Sequence, residues 1–173
     1  MKTRIRTSIA LASLPLLGLI AQAHADEIKR YPLPNGSKFP IANAVEVPAG
    51  MTLIFQSGTL ASPKDPTAPA GSAAYWGDTR TQALSAFANI KKSLEEEGLG
   101  FGNVVKMVVF LAGDPAMDGK MDFKGFMEAY TQYFGTPEQP NLPARSAVQV
   151  AALAAPGALI EIEVVLARPT TKK

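Results

Sequence analysis

The chain has no cysteine and only one histidine, His24, among its 173 residues. His24 precedes the point at which we expect the chain to be cleaved, so the mature protein would hold neither imidazole nor thiolate. These two groups supply the common zinc ligands, the histidine of a Ser-His-Asp triad and the cysteine nucleophile. Their absence excludes those sites and any disulfide. No spacing of carboxylates favours a metal site either, so we predict no bound metal.

Residues 1–25 are typical of a cleavable secretory signal. Three positive charges come first, an apolar stretch follows at residues 9–21, and the small-x-small pattern AHA stands at residues 23–25. The apolar stretch is shorter than the about 20 residues of a membrane-spanning helix. We predict cleavage after Ala25, a periplasmic or secreted product of residues 26–173, and no membrane association after cleavage.

Cleavage would also change the charge of the protein. Removing Lys2, Arg4 and Arg6 leaves 14 basic residues against 15 acidic ones, a net charge of −1 instead of +2. The basic residues that remain do not form a stripe. We therefore predict neither a nucleic-acid partner nor an anionic membrane surface as partner.

The apolar patterns predict an α+β domain of order ββαβαββ, a mixed sheet with its two helices packed on one face. The predicted elements are strands at 42–47 and 51–57, a helix from 78 to 98, a strand at 103–113, a helix at 121–135, and strands at 144–153 and 158–167. Around them we predict an N-terminal arm at 26–38, one domain at 39–168 and a tail at 169–173. A long loop covers residues 62–77.

Two short turns predict strand pairing. Pro48-Ala49-Gly50 predicts a hairpin between the first two strands, and residues 154–157 would join the last two strands in the same way. With that second hairpin, Arg145 and Glu161 lie about 16 Å apart along the strands. A site that contains both residues would therefore lie between subunits.

Arg145 opens a predicted strand directly after a proline-rich loop. Its guanidinium stays ionised and can present two parallel donors to a carboxylate ligand. An ion pair with Glu161 or Glu163 explains its position equally well. Those two glutamates alternate with apolar residues and so share one face of the last strand, either as a solvated face or as partly desolvated carboxylates under another subunit.

Three further residues are candidates for a site. Ser57 precedes Gly58 at a strand end, where it would contact a ligand or simply form a turn. Tyr75 and Trp76 in the long loop would cover a pocket or anchor the loop to the domain.

Several strings together resemble the Rid family, the reactive intermediate deaminases also called YjgF-like proteins. They are LIFQSG at 53–58, DTRTQALSAFANIKKSLEEEGLGFGNVVKMVVFL at 78–111, AYTQYF at 129–134, PARSAV at 143–148 and IEIEVVLA at 160–167. They follow the family's order over nearly the whole mature domain.

The resemblance implies a homotrimer with one cleft at each subunit interface and no cofactor. It implies that Arg145 binds a substrate carboxylate, Glu161 orients a water molecule and Ser57 lines the cleft. The partner would be a small 2-imino acid or related carboxylate, and the reaction its hydrolysis to a 2-keto acid and ammonia.

At three positions the chain differs from the family pattern: Ile41, Met127 and Ala147 stand where tyrosine, asparagine and cysteine are usual. These differences motivate a second hypothesis, a noncatalytic protein of the same fold that binds a small carboxylate or oxo acid. A third hypothesis is a protein-interaction role that uses the aromatic surface near Tyr75 and Trp76.

Overall fold

The computed structural model describes residues 27–170 as an α+β domain. Its helices and strands are β1 (Lys29–Tyr31), β2 (Ala44–Glu46), β3 (Met51–Leu60), α1 (Ala73–Trp76), α2 (Thr79–Glu96), β4 (Val104–Ala112), α3 (Phe123–Tyr130), β5 (Ala144–Val150) and β6 (Ile160–Pro169). From β2 onward, the one-turn helix α1 apart, the order is the predicted ββαβαββ. The predicted signal at residues 1–25 and the last three residues of the predicted tail lie outside the described part.

The main sheet has four strands in the order β3-β6-β4-β5. Strand β6 is antiparallel to both neighbours, whereas β4 and β5 are parallel. The mixed sheet is therefore confirmed. Strand β5 lies at one edge of this sheet and β3 lies at the other.

Both predicted hairpins are wrong. Strand β2 pairs with β1 in a separate two-stranded sheet, while β3 pairs with β6. Strand β4 lies between β5 and β6, so the last two strands do not touch as a pair. A short turn reverses the direction of the chain but does not determine which strands pair with each other. The apolar strands β4 and β6 occupy the middle of the sheet, where burial is greatest.

The two main helices begin at the caps that the sequence contains. The amide of Thr81 donates to Asp78 Oδ1 at 2.8 Å before α2, and the amide of Gly125 donates to Asp122 Oδ1 at 2.8 Å before α3. Gly98 follows α2 with a φ of +70°, as predicted for a left-handed stop. Helix α3 ends at Tyr130, several residues before the predicted end.

The core lies between these helices and one face of the sheet. Alternate residues of β4 and β6 point into it, and aromatic rings of α2 and α3 cover them. Its largest fully buried side chains include Phe87, Phe126, Tyr130, Phe134, Met107, Leu111, Ile160, Ile162 and Leu166. The predicted packing of both helices on one face is confirmed.

The opposite face of the sheet is not covered by the described part of the chain. Phe55 is 76% exposed there, and Leu53 and Val148 are 45% and 44% exposed. We call this surface the open face. Large apolar side chains exposed together on one surface usually mark a contact with another molecule.

The predicted arm at 26–38 contains a strand and is bound to the domain through Arg30. The Arg30 guanidinium donates to the carbonyls of Gly102, Val104 and Leu142 at 3.0, 3.0 and 2.7 Å. These carbonyls belong to the start of β4 and the loop that leads into β5. Arg30 therefore joins the entrances of the two parallel strands.

The long loop at 62–77 is anchored by Trp76. Its indole N–H donates to the Pro156 carbonyl at 2.8 Å, and the side chain is only 8% exposed. The anchoring interpretation is confirmed for Trp76, whose buried ring cannot form part of the hypothesised interaction surface. Tyr75 is partly exposed, and the interaction role stays a prediction. Within residues 27–170 no helix is long and apolar enough to cross a membrane.

We expect Arg30→Met to lower the free energy of unfolding by about 2–3 kcal/mol, because three partly buried carbonyls would lose their donor. Urea titration of the purified protein measures this change. Lys38→Met, at an exposed position of the same segment, is the control and should change the value by less than about 0.5 kcal/mol. Equal effects of the two substitutions would contradict the role of Arg30.

Candidate active site

Arg145 is the second residue of β5, and its side chain points toward the helices. In the parallel pair it lies opposite Met107, a fully buried residue of the core. Opposed residues of neighbouring strands share a face of the sheet. Arg145 therefore lies beneath α3 at the sheet edge, while the neighbouring Ser146 points to the open face.

Four aromatic rings surround the guanidinium of Arg145. Its central carbon lies 4.2 Å from the ring centre of Tyr130, 5.0 Å from Phe126, 5.4 Å from Phe39 and 5.9 Å from Phe123. We call these rings the aromatic enclosure. Each distance is within the range of a cation–π contact, which gains strength when water is excluded.

No carboxylate accompanies Arg145 within residues 27–170, where the ion pairs join Arg80 with Glu128, Lys91 with Glu95 and Lys124 with Glu128. Its Nη1 atom is buried and lacks a hydrogen-bond partner among the same residues.

The predicted alternative of an ion pair with Glu161 or Glu163 is therefore wrong within the chain. Burial lowers the pKa of Arg145, and the nearby Tyr130 opposes this effect. The guanidinium nevertheless stays ionised at any working pH. A buried, ionised donor without an acid is the arrangement that an anionic ligand would complete.

Tyr130 has a structural part in the enclosure. Its hydroxyl donates to the Pro40 carbonyl at 2.8 Å. Burial raises the pKa of Tyr130 to about 12, although the positive charges of Arg145 and Arg30 oppose the shift. The phenol is therefore neutral near pH 7 and adds no negative charge beside Arg145.

Glu161 and Glu163 point to the open face. They lie opposite Phe110 and Val108 of β4, whereas Ile162 between them is fully buried in the core. The predicted common face of the two glutamates is confirmed. It is the face opposite to the one that holds Arg145.

Gly58 makes room for Glu161. Pairing between β3 and β6 is irregular between Gln56 and Thr59, and a Cβ atom at Gly58 would lie 1.8 Å from Glu161 Oε1. The Glu161 carboxylate therefore rests against the backbone of Gly58. Ser57 is exposed beside it, at a depression of about 220 Å³ on the open face.

The candidate residues thus form two groups in one chain. Arg145 lies on the core face of the sheet, and Glu161 and Ser57 lie on the open face. Arg145 lies opposite Met107 and Glu161 lies opposite Phe110, so they are three residues apart along β4 and two strands apart across it. This geometry separates their backbones by about 14 Å, with the side chains on opposite faces. The prediction that the two residues do not meet within one chain is confirmed. The predicted distance of about 16 Å along the strands is wrong, because the strand pairing on which it was based does not occur and the observed offset is about 10 Å. A site with both residues needs two chains.

A larger cavity in residues 27–170 lies elsewhere. It measures about 570 Å³ and is lined mainly by small residues of the segments 71–78, 112–116 and 151–159. None of Arg145, Glu161 and Ser57 lines it. Its size therefore does not make it the site of the predicted chemistry.

The sequence patterns did not indicate that Phe39 or the aromatic residues of α3 belong to the candidate site. The stripe of Phe123, Phe126 and Tyr130 gave the helix its buried face, but the same rings also face Arg145. One sequence signal does point to Phe39. It is an aromatic residue directly before Pro40, in a segment that otherwise has the composition of a loop.

Fold and site together define an α+β domain with a mixed sheet and an arginine-centred candidate site at its edge. Residues 36–168 match the family described as Endoribonuclease L-PSP, and the chain belongs to this family, which includes the YjgF and Rid proteins. The predicted resemblance is confirmed.

Two relatives show the range of similarity. DfrA from Myxococcus xanthus is 35% identical over 127 residues, which cover 73% of this chain and 83% of that protein. The human 2-iminobutanoate/2-iminopropanoate deaminase is 42% identical over 89 residues, which cover 51% of this chain and 57% of the enzyme. The match thus spans a little over half of the human enzyme.

Solved structures agree on the fold. Escherichia coli TdcF with bound serine has a TM-score of 0.52 and 30% identity, covering 83% of this chain and 98% of that chain. The E. coli YjgF gene product has a TM-score of 0.52 and 29% identity, covering 76% of this chain and 91% of its own.

We expect Arg145→Met to leave the free energy of unfolding unchanged or to raise it by up to about 2 kcal/mol, because a buried charge without an acid is replaced by an apolar chain. If Arg145 were held in an ion pair, its removal would instead lower the free energy of unfolding by about 3–5 kcal/mol. Urea titration decides between these outcomes. Arg80→Met, which removes an exposed ion pair, is the control and should cost less than about 1 kcal/mol.

Proposed function

We propose that the protein hydrolyses 2-imino acids to 2-keto acids and ammonia, in clefts between the subunits of a homotrimer. The observation that carries the proposal is the partly buried guanidinium of Arg145, which has a buried Nη1 atom without a hydrogen-bond partner and no acidic partner in residues 27–170. A planar carboxylate matches the paired N–H donors of that group. The relatives named deaminases act on 2-imino acids, which carry such a carboxylate.

The charge around Arg145 supports an anionic ligand. Arg30 is a second guanidinium near Tyr130, and its donors are taken up by backbone carbonyls rather than by an acid. The region therefore carries uncompensated positive charge in partly buried surroundings, where electrostatic attraction is stronger than in water. Bound serine in TdcF, an amino acid with a carboxylate, is in line with this chemistry.

The second group of residues, Ser57, Gly58 and Glu161, would act on the reacting carbon. The Glu161 carboxylate accepts hydrogen bonds, so it can orient a water molecule, and the exposed Ser57 would line the cleft beside it. Gly58 keeps the space that this carboxylate occupies. Residues 26–173 contain no histidine or cysteine, and an ionised carboxylate is a stronger hydrogen-bond acceptor for this water than a neutral hydroxyl group.

The trimer is supported by the open face and by the split between the two groups. In a ring of identical chains each interface joins two different surfaces, so Arg145 of one chain can meet Glu161 of the next. The exposed Phe55, Leu53 and Val148 give the open face the apolar area that a stable contact needs.

In the proposed reaction Arg145 holds the carboxylate, and the water oriented by Glu161 attacks C2 of the imine. The C–O bond forms as the C=N π electrons move to nitrogen, and the water proton passes to that nitrogen. The remaining hydroxyl proton of the carbinolamine then passes to its amino group, and the C–N bond breaks as the C=O bond forms, which releases ammonia and leaves the 2-keto acid. An imine carbon is already electrophilic, so orientation supplies most of the acceleration that is needed.

Mixing two inactive variants tests the site. Arg145→Ala and Glu161→Gln alone should each lose turnover while keeping the trimer. Trimers refolded from an equal mixture should regain roughly a quarter of wild-type activity, since random assembly restores one cleft in four. Ammonia release from imines generated by an amino acid oxidase is the measurement. Mixtures that stay inactive would contradict a cleft shared between subunits.

Binding without turnover is the second candidate function. It is favoured by the apolar character of the enclosure, where Tyr130 is committed to Pro40 and Ile41 and Met127 replace polar residues of the family pattern. Calorimetric binding of 2-oxobutanoate by wild-type protein that releases no ammonia from any imine would establish this candidate.

We also propose that the protein is exported from the cytoplasm. The support is the order of basic, apolar and small-x-small residues in segment 1–25. We expect protein expressed in a Gram-negative host to be recovered from the periplasmic fraction with an N-terminus at Asp26. Mass spectrometry of the intact protein measures this, with a variant that begins at Asp26 after its start methionine as the control. A full-length cytoplasmic product would contradict the proposal.

A further inference from the structure

Among the four rings of the aromatic enclosure, Phe39 is the one that solvent reaches most. It is 41% exposed, whereas Phe126 and Tyr130 are fully buried. Phe39 stacks on Phe123 with ring centres 6.4 Å apart and an interplanar angle of 18°. It therefore forms the rim of the enclosure, at the point where a ligand would reach Arg145 from solvent.

Phe39 is held in position by its neighbours in the chain. The Pro40 carbonyl accepts the Tyr130 hydroxyl at 2.8 Å, and the Ile41 amide donates to the Phe39 carbonyl at 2.8 Å. The segment then joins β5, since the Ala42 amide donates to Pro143 at 3.0 Å. This bonding fixes the backbone that directly follows the ring, so Phe39 is preorganised beside Arg145.

A carboxylate on Arg145 would have its oxygens about 2.8 Å from the guanidinium nitrogens. The Phe39 ring centre lies 5.4 Å from the guanidinium carbon, so the remainder of a small ligand would lie against Phe39 and Phe123. A polar substituent there would lose water without gaining a partner from these rings, whereas an apolar substituent gains contact area.

We propose that Phe39 determines substrate specificity, selecting 2-imino acids with bulky apolar side chains over those with small or polar ones. The inference rests on the proposed deamination at Arg145, and it names the substrate class of that site. Phe39 contacts the side chain of the substrate and takes no part in bond making or breaking. Its removal should therefore change the ranking of substrates more than the turnover of the smallest one.

Kinetics on the wild-type trimer test the ranking. Imines formed in situ by D-amino acid oxidase from D-leucine, D-alanine and D-serine supply a bulky apolar, a small and a polar side chain. We expect kcat/KM for the leucine-derived imine to exceed the other two by at least about tenfold, the discrimination typical of added methylene groups in an apolar pocket. Equal values for the three imines would overturn the inference while leaving the deamination itself intact.

Calorimetry gives a readout that does not depend on turnover. The probes are 4-methyl-2-oxopentanoate, pyruvate and 3-hydroxypyruvate, and the first should bind at least about tenfold more tightly than the others. This preference in a protein that turns over no imine would support the inference and refute the proposed deamination. Equal affinities would overturn the inference.

Substitutions at Phe39 test whether its ring causes the preference for the bulky apolar ligand. Phe39→Ala should reduce the tenfold preference to about threefold or less, and Phe39→Leu should keep most of the preference. Met117→Ala, at a residue 44% exposed and outside the enclosure, is the matched control and should change nothing. A preference that survives in Phe39→Ala would overturn the role of Phe39.

Discussion

The burial of the Arg145 guanidinium against aromatic rings, without a carboxylate from its own described chain, is the constraint around which this site is built. Removing an ionised group from water costs free energy that the cation–π contacts offset only in part. Arg30 has no acid beside it either, but its guanidinium donates to three backbone carbonyls, whereas Nη1 of Arg145 has no partner within residues 27–170. The arrangement therefore supports the proposal of an anion-binding site at Arg145.

The same strand arrangement that buries Arg145 sends Glu161 to the opposite face. Strand β5 is parallel to β4 and β6 is antiparallel, and the register directs Arg145 toward the helices and Glu161 toward the open face. No rotation of side chains brings two groups together across a sheet. Shared chemistry thus depends on a second chain, and the exposed apolar residues of the open face supply a surface for it.

Much of this was predictable from local pattern. Apolar periodicity indicates both helices and the main strands, Asp78 and Gly98 mark the ends of α2, and the glutamates of β6 alternate with apolar residues. Arg145 stands out because an arginine after a proline-rich loop opens an apolar strand. These properties depend on residues within one or two turns of each other, so the sequence alone determined them.

Only the tertiary structure decided which strands pair, what covers Arg145 and how the N-terminal segment contributes. Strand partners depend on competition for the buried middle of the sheet, which a local turn such as Pro48-Ala49-Gly50 does not encode. Arg30 and Phe39 act on groups more than 70 residues away along the chain, through contacts with Val104 and Arg145. Such contacts leave no periodic pattern, because they arise from the packing of distant segments rather than from the conformation of one.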